Sequence, residues 1–165
     1  MLKALYYCHN VVKVIHRDIK PDNIVINHNQ EAVLIDFGVS FLQDQKNEDV
    51  LKTNIGTFIF YSPEMFSKTQ EISGEASDLW ALGITFYKLV TGRYPFEEAV
   101  SYYKLKESIL EKDIDFDIIK HRDVKDLLRK MLQKDVTKRA KMGDILKSKW
   151  VTDNGRTKLD IELTE

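Results

Sequence analysis

The chain has one cysteine, Cys8, in 165 residues. A single thiol excludes an internal disulfide and a thiolate metal cluster, and it suits a reducing compartment. Prolines occur only at positions 21, 63 and 95, so no proline-rich linker divides the chain. Charge of one sign is not in excess either: 25 Lys and Arg stand against 26 Asp and Glu, a net charge of −1. General binders of nucleic acid or anionic membrane are normally basic, so neither is expected as a partner. Long apolar runs are also missing. Ala32 to Ile35 and Phe58 to Tyr61 are four residues each, against the roughly 20 that a membrane helix needs. His9, Lys13, His16 and Arg17 break the N-terminal stretch before it reaches the length of a secretory signal. The expected location is the cytosol, or the nucleus.

What is present is a foldable chain. Hydrophobic residues make up 43% and charged residues 31%, too apolar for disorder and ordinary for a globular domain. Residues 2–10 read as a helix with Leu2, Leu5 and Tyr6 on one face. Two short apolar runs, Ile24 to Ile26 and Ala32 to Ile35, flank the polar turn Asn27 to Glu31, which predicts a hairpin. Residues 39–57 are polar and irregular and read as loop. From about Glu75 to Thr91 the pattern is apolar all round, which predicts a helix at the centre of the domain. Ser73 suits its N-cap, and Gly92 a left-handed end. Amphipathic helices follow, with Leu127, Leu128, Met131 and Leu132 as one stripe and Ile145, Leu146 and Trp150 as another. The expected fold class is mainly α with a short β-hairpin, built as one domain or one lobe.

The strongest chemical signal is His16-Arg17-Asp18-Ile19-Lys20-Pro21-Asp22-Asn23, followed after the hairpin by Asp36-Phe37-Gly38. Asn23 lies just before the first strand and Asp36 just after the second. An antiparallel hairpin brings those two points to one edge, with Asp18 close by. An amide oxygen beside a carboxylate is a hard donor pair suited to Mg²⁺. Asp18, off the metal, is free to take a proton from a hydroxyl. Lys20 is a cation where transferred phosphate charge would develop. The chain supplies its own control in His121-Arg122-Asp123, where Lys125 also matches. Leu128 stands in place of the asparagine there and no Asp-Phe-Gly follows, so that copy reads as a helix start capped by Asp123. His28 reads as a solvated turn residue and Cys8 as helix packing.

The first arrangement resembles the catalytic and metal-binding loops of the eukaryotic protein kinases. The resemblance implies Asp18 as catalytic base, Lys20 as partner of the γ-phosphate, and Asn23 and Asp36 as Mg²⁺ ligands, with ATP as co-substrate. Lys20 fits the serine/threonine class. Gly56-Thr57 and Ser62-Pro63-Glu64 resemble the end of an activation segment, in which Thr57 would bond to Asp18 and Lys20. Glu64 would form a buried pair with Arg139. Asp78, opening Asp78-Leu79-Trp80-Ala81-Leu82-Gly83, would hold the backbone of the catalytic loop. Arg17 would receive a phosphorylated activation loop, with Thr53 as the candidate phosphosite. Phe37 and Gly38 complete the metal-loop motif.

Several further segments resemble the calcium/calmodulin-dependent protein kinase kinases: Asp36 to Ser40, Ile72-Ser73-Gly74, Lys149 to Thr152, and the tail Leu159 to Glu165. This implies protein substrates with Ser or Thr acceptors, including the activation loop of another kinase. Residues 153–165 carry four acids and two bases, the wrong character for a calmodulin-binding segment. Calmodulin would therefore be expected to act only through sequence outside this chain. The resemblance assigns 1–150 to the C-terminal lobe of a kinase domain and 151–165 to an acidic tail. No glycine-rich loop and no Val-Ala-Ile-Lys-like strand occurs in the sequence, so the small N-terminal lobe is expected to be absent. Little or no activity is then expected of these residues alone, together with exposed apolar surface near Phe37. A non-catalytic docking module derived from the same lobe stands as the alternative.

Overall fold

A computed structural model of the chain describes residues 1–43, 57–66, 72–97 and 101–157. Leu2–Tyr6 form helix α1, and Tyr7–Val11 continue it as a wider π-type turn. The single helix predicted over 2–10 is thus two helical forms in succession. Cys8 and His9 lie on the π turn and are buried.

Among the described residues four short strands follow: β1 (Val14–Ile15), β2 (Ile24–Ile26), β3 (Ala32–Leu34) and β4 (Phe41–Leu42). Strands β2 and β3 form the predicted antiparallel hairpin, with Ile24 opposite Leu34 and Ile26 opposite Ala32. Its turn closes on Asn27, whose Oδ1 accepts the backbone N–H of Asn29 and of Glu31, each at 2.9 Å. A short amide side chain that mimics a backbone acceptor is why asparagine suits such turns. Strands β1 and β4 pair antiparallel, Ile15 opposite Phe41. This corrects the reading of residues 39–57 as loop throughout. A two-residue strand carries no periodicity of its own and exists only because a partner lies beside it.

Helix α2 (Gly74–Thr91) is the spine of the molecule. Ser73 Oγ accepts the Ala76 N–H at 3.3 Å, and Gly92 ends the helix at φ +79° while donating to the Lys88 carbonyl at 2.8 Å. Residues 78–85 are buried on every face. Each aliphatic side chain among them contributes about 1.5–3 kcal/mol of burial energy. The last turn differs from the sequence expectation: Leu89 is 70% exposed, and Val90 is exposed as well.

Helix α3 (Tyr102–Glu111) is capped by Ser101. Helix α4 (Arg122–Met131) buries Val124, Leu127, Leu128 and Met131, and helix α5 (Met142–Leu146) buries Ile145 and Leu146. The predicted cap of α4 is corrected, since His121 occupies the N-cap position and Asp123 lies inside the first turn. There the helix dipole favours an acid without a capping bond. Trp150 falls beyond α5 and is 42% exposed, its ring set against Phe86 and His121. Helix α2 packs on α4 and on β1, and α4 packs on α5. Among the described residues no helix is long and apolar enough to cross a membrane.

Candidate active site

The site is built outward from a buried carboxylate. Asp78 sits in the second turn of α2, is essentially inaccessible, and accepts three hydrogen bonds. Its Oδ1 accepts the Arg17 backbone N–H at 2.9 Å. Its Oδ2 accepts the His16 backbone N–H at 2.9 Å and His9 Nε2–H at 2.8 Å. Two consecutive amides of the loop are thereby clamped to the central helix. Arg17 has φ +71°, in the left-handed region that a long side chain rarely adopts. Such a conformation persists only where the surroundings enforce it, and the Asp78 clamp is that enforcement. The Arg17 side chain lies over the Phe41 ring on β4 and donates to the Val39 carbonyl at 3.5 Å.

His16 ties the loop to the second motif. Its Nε2 donates to the Ile35 carbonyl at 3.0 Å, and its Nδ1 accepts the Asp18 backbone N–H at 3.3 Å. Its ring meets Phe37 edge-on at 4.7 Å. These bonds orient Asp18. The Asp18 Oδ2 accepts Lys20 Nζ at 2.7 Å and Asn23 Nδ2 at 3.0 Å, while Asn23 Nδ2 also donates to the Asp18 carbonyl at 2.8 Å. Both N–H groups of the Asn23 amide are used on Asp18, which leaves the amide oxygen as the atom available to a cation. The Asp18 and Lys20 side chains are only 13% and 22% exposed. The hydrogen bond to Asp18 raises the Lys20 ammonium above its ordinary lysine value, and the charges of Asp18, Asp22 and Asp36 add to this against its partial burial.

Asn23 and Asp36 come to the same hairpin edge. The Ile35 N–H donates to the Asn23 carbonyl at 2.9 Å, one rung beyond the Ile24–Leu34 pair. Asp36 follows directly at φ +61°, exposed, with its Oδ1 accepting the Gly38 N–H at 3.2 Å. The structure therefore brings Asp18, Lys20, Asn23 and Asp36 to one edge.

Thr57 reaches the site through its hydroxyl, which accepts Lys20 Nζ at 3.3 Å. Of the two bonds expected of Thr57, the one to Lys20 is present, and none to Asp18 is found among the described residues. Further along the segment, Glu64 and Arg139 form a buried bidentate pair, Nη1 to Oε1 at 2.6 Å and Nη2 to Oε2 at 2.8 Å. Arg139 also donates to the Ala76 and Gln133 carbonyls at 3.0 Å and lies over the Trp80 ring. Thr53 lies outside the described residues. His9 was not singled out from the sequence. Its partner Asp78 is 69 residues away, and a histidine on a short helix carries no local mark of such a role.

The donor set can be tested against Mg²⁺. Among the described residues no three His, Cys, Asp or Glu side chains group as a metal cage. Mg²⁺ seldom asks for one, since it binds one or two protein oxygens and completes its shell with water and phosphate. The spare Asn23 oxygen and the exposed Asp36 carboxylate fit that demand, with the Asp18 carboxylate held back by Lys20.

The model of the protein kinase domain family matches residues 1–151. The chain belongs to the protein kinase family, transferases that use ATP. Its relatives are serine/threonine kinases. It is 36% identical over 143 residues to a calcium/calmodulin-dependent protein kinase kinase, cmkC, of Emericella nidulans, covering 86% of this chain and 27% of that protein. It is 37% identical over 151 residues to an Aurora kinase of Candida glabrata, covering 92% and 40%. It is 36% identical over 168 residues to the serine/threonine-protein kinase TOS3 of Saccharomyces cerevisiae, covering 88% and 30%. The chain thus spans well under half the length of these three relatives.

Proposed function

We propose that this chain is the C-terminal, large-lobe part of a serine/threonine protein kinase that transfers the γ-phosphate of ATP to protein Ser or Thr hydroxyls. The observation that carries this is the bond network joining Lys20 and Asn23 to the single oxygen Asp18 Oδ2. It leaves the second Asp18 oxygen for an incoming hydroxyl. In this reading Asp18 orients that hydroxyl and accepts its proton. Lys20 places a fixed positive charge beside it, where charge develops on the transferring group. Asn23 and Asp36 hold Mg²⁺, which when bound neutralises phosphate charge. Thr57 steadies Lys20, and Asp78 keeps the loop in register. Arg17 is the proposed receiver of a phosphorylated activation segment, with Thr53 the proposed acceptor.

The 165 residues contain no glycine-rich loop and no strand lysine to cover the nucleotide. They supply one wall of the nucleotide site, so by themselves they hold it weakly and turn over little. Kinship with a calcium/calmodulin-dependent protein kinase kinase supports another kinase's activation loop as substrate, the finest level of this proposal.

Thermal unfolding with and without Mg²⁺-ATP tests the reading. A ligand at about ten times its Kd stabilises the folded state by about 1.4 kcal/mol. The expected result at millimolar nucleotide is a rise in midpoint that Asp36→Asn abolishes and Asp18→Asn retains. No rise for the wild-type chain at any attainable concentration would overturn the nucleotide site. Turnover abolished by Asp18→Asn would overturn the weak-activity statement while supporting the chemistry.

A further inference from the structure

Between the activation segment and the catalytic loop lies a small, partly open cavity of about 30 Å³. Its wall includes Arg17 and Asp18 from the loop, Thr57 and Tyr61 from the segment, and Ser77 and Asp78 from α2. Tyr61 is almost wholly buried, yet its hydroxyl has no hydrogen-bond partner among the described residues. A buried hydroxyl without a partner is uncommon, because it surrenders its bonds to water without replacing them. Its ring is fully accounted for, set against Phe58 at 5.1 Å and Phe66 at 5.8 Å. Packing therefore explains a phenylalanine at this position, and the hydroxyl needs a separate explanation.

The cavity provides one. Its volume exceeds the roughly 10–15 Å³ that one water requires, and a buried water also needs two to four polar partners. Tyr61 offers both a donor and an acceptor. Ser77 Oγ, engaged once with Ser62 Oγ at 3.1 Å, keeps capacity for a second bond. Arg17 and Asp78 line the same cavity. Burial pushes the Tyr61 phenol up, while the positive charge of Arg17 acts against that shift.

We propose that this cavity holds an ordered water that joins the Tyr61 hydroxyl to Ser77 and Arg17, and that through it Tyr61 is a positioning residue for the loop carrying Asp18. The water links three elements that are distant in sequence: the activation segment at Tyr61, the start of α2 at Ser77, and the loop at Arg17. A displacement of the segment would then loosen the loop at Arg17 as well as at the Lys20–Thr57 contact. The meaning of this for catalysis rests on the reading of Asp18 as base; the water and its effect on the loop do not.

The test needs no nucleotide or substrate, so it can fail or succeed independently of the kinase reading. A high-resolution crystal structure of the whole chain is expected to show a water within hydrogen-bond distance of Tyr61 Oη and of Ser77 or Arg17. Tyr61→Phe keeps the ring and removes the hydroxyl. Hydrogen exchange of the His16 and Arg17 amides, both bonded to Asp78, is expected to quicken roughly three- to tenfold in that variant, with helix α4 unchanged. Ser77→Ala should give the same local pattern from the other end. A purely packing role would leave His16 and Arg17 no more affected than α4. A dry cavity in the wild-type crystal would overturn the proposal, whether or not the variants fold. Exchange at His16 and Arg17 that matches wild type in both variants would overturn it as well.

Discussion

Asp78 Oδ1 accepts the backbone N–H of Arg17 at 2.9 Å, across 61 residues of chain and from inside a helix. The second oxygen does the same for His16. Neither amide belongs to a strand or helix, so the loop has no ladder of its own to satisfy them. The central helix supplies an acceptor instead, and in doing so sets the backbone from which Asp18 projects. Replacing the carboxylate by an amide removes one acceptor and turns a donor toward donors. Asp78→Asn is therefore expected to destabilise the fold by about 2–4 kcal/mol. Urea unfolding monitored by circular dichroism reads this directly, and a midpoint equal to wild type would contradict the clamp.

The Glu64–Arg139 pair is buried on both sides, so removing one partner strands the other charge. Arg139→Met is expected to cost about 3–5 kcal/mol, and Glu64→Gln somewhat less because one neutral acceptor remains. Changing both residues to apolar ones of similar volume should cost less than the sum of the single changes. A double-mutant cycle checks this, and strict additivity would show that the pair is not coupled.

Lys20 carries a pH prediction. Its folded value lies above the ordinary one through its bond to Asp18. A cation raised in this way contributes stability that is fully present below its unfolded value and is lost as pH rises through the folded value. The difference in stability between wild type and Lys20→Met should stay flat through neutral pH and shrink only in strongly alkaline solution. Denaturant titrations across alkaline pH test the sign; a difference that grows with pH would show that the Asp18 bond is not its source.

Two helical glycines should behave oppositely. A Cβ at Gly83 would lie 2.8 Å from Leu132 Cδ2 and 3.0 Å from Leu132 Cγ, where α2 meets the end of α4. Gly83→Ala is expected to destabilise by about 1–3 kcal/mol through overpacking. At Gly143, in α5, nothing lies within 4 Å of the added carbon. Gly143→Ala should stabilise by up to about 1 kcal/mol, since alanine has less chain entropy to lose. Thermal melts of the two variants, shifted in opposite directions, are the expected result.

Asp18, Lys20, Asn23 and Asp36 were legible from the sequence because their spacing is local. A hairpin returns the chain on itself within a few residues, so the meeting of Asn23 and Asp36 follows from its topology. Helix α2 and both its ends were legible for a similar reason, since Ser73 and Gly92 act within one turn. Strand β4 was not, nor was the π turn after α1. Phe41–Leu42 is too short for a pattern, and the widening at Tyr7–Val11 is where His9 meets Asp78.

The sequence by itself determined which residues the site gathers, the hairpin that gathers them, and the long central helix. These rest on residue type, turn chemistry and periodicity, all of which act over short stretches of chain. Only the tertiary structure decided that Asp78 takes three donors, that Lys20 and Asn23 share one oxygen of Asp18, and that Tyr61 and Arg17 line one small cavity. Those outcomes depend on side chains from distant elements competing for the same few acceptors in a space with little water. That competition is settled by packing.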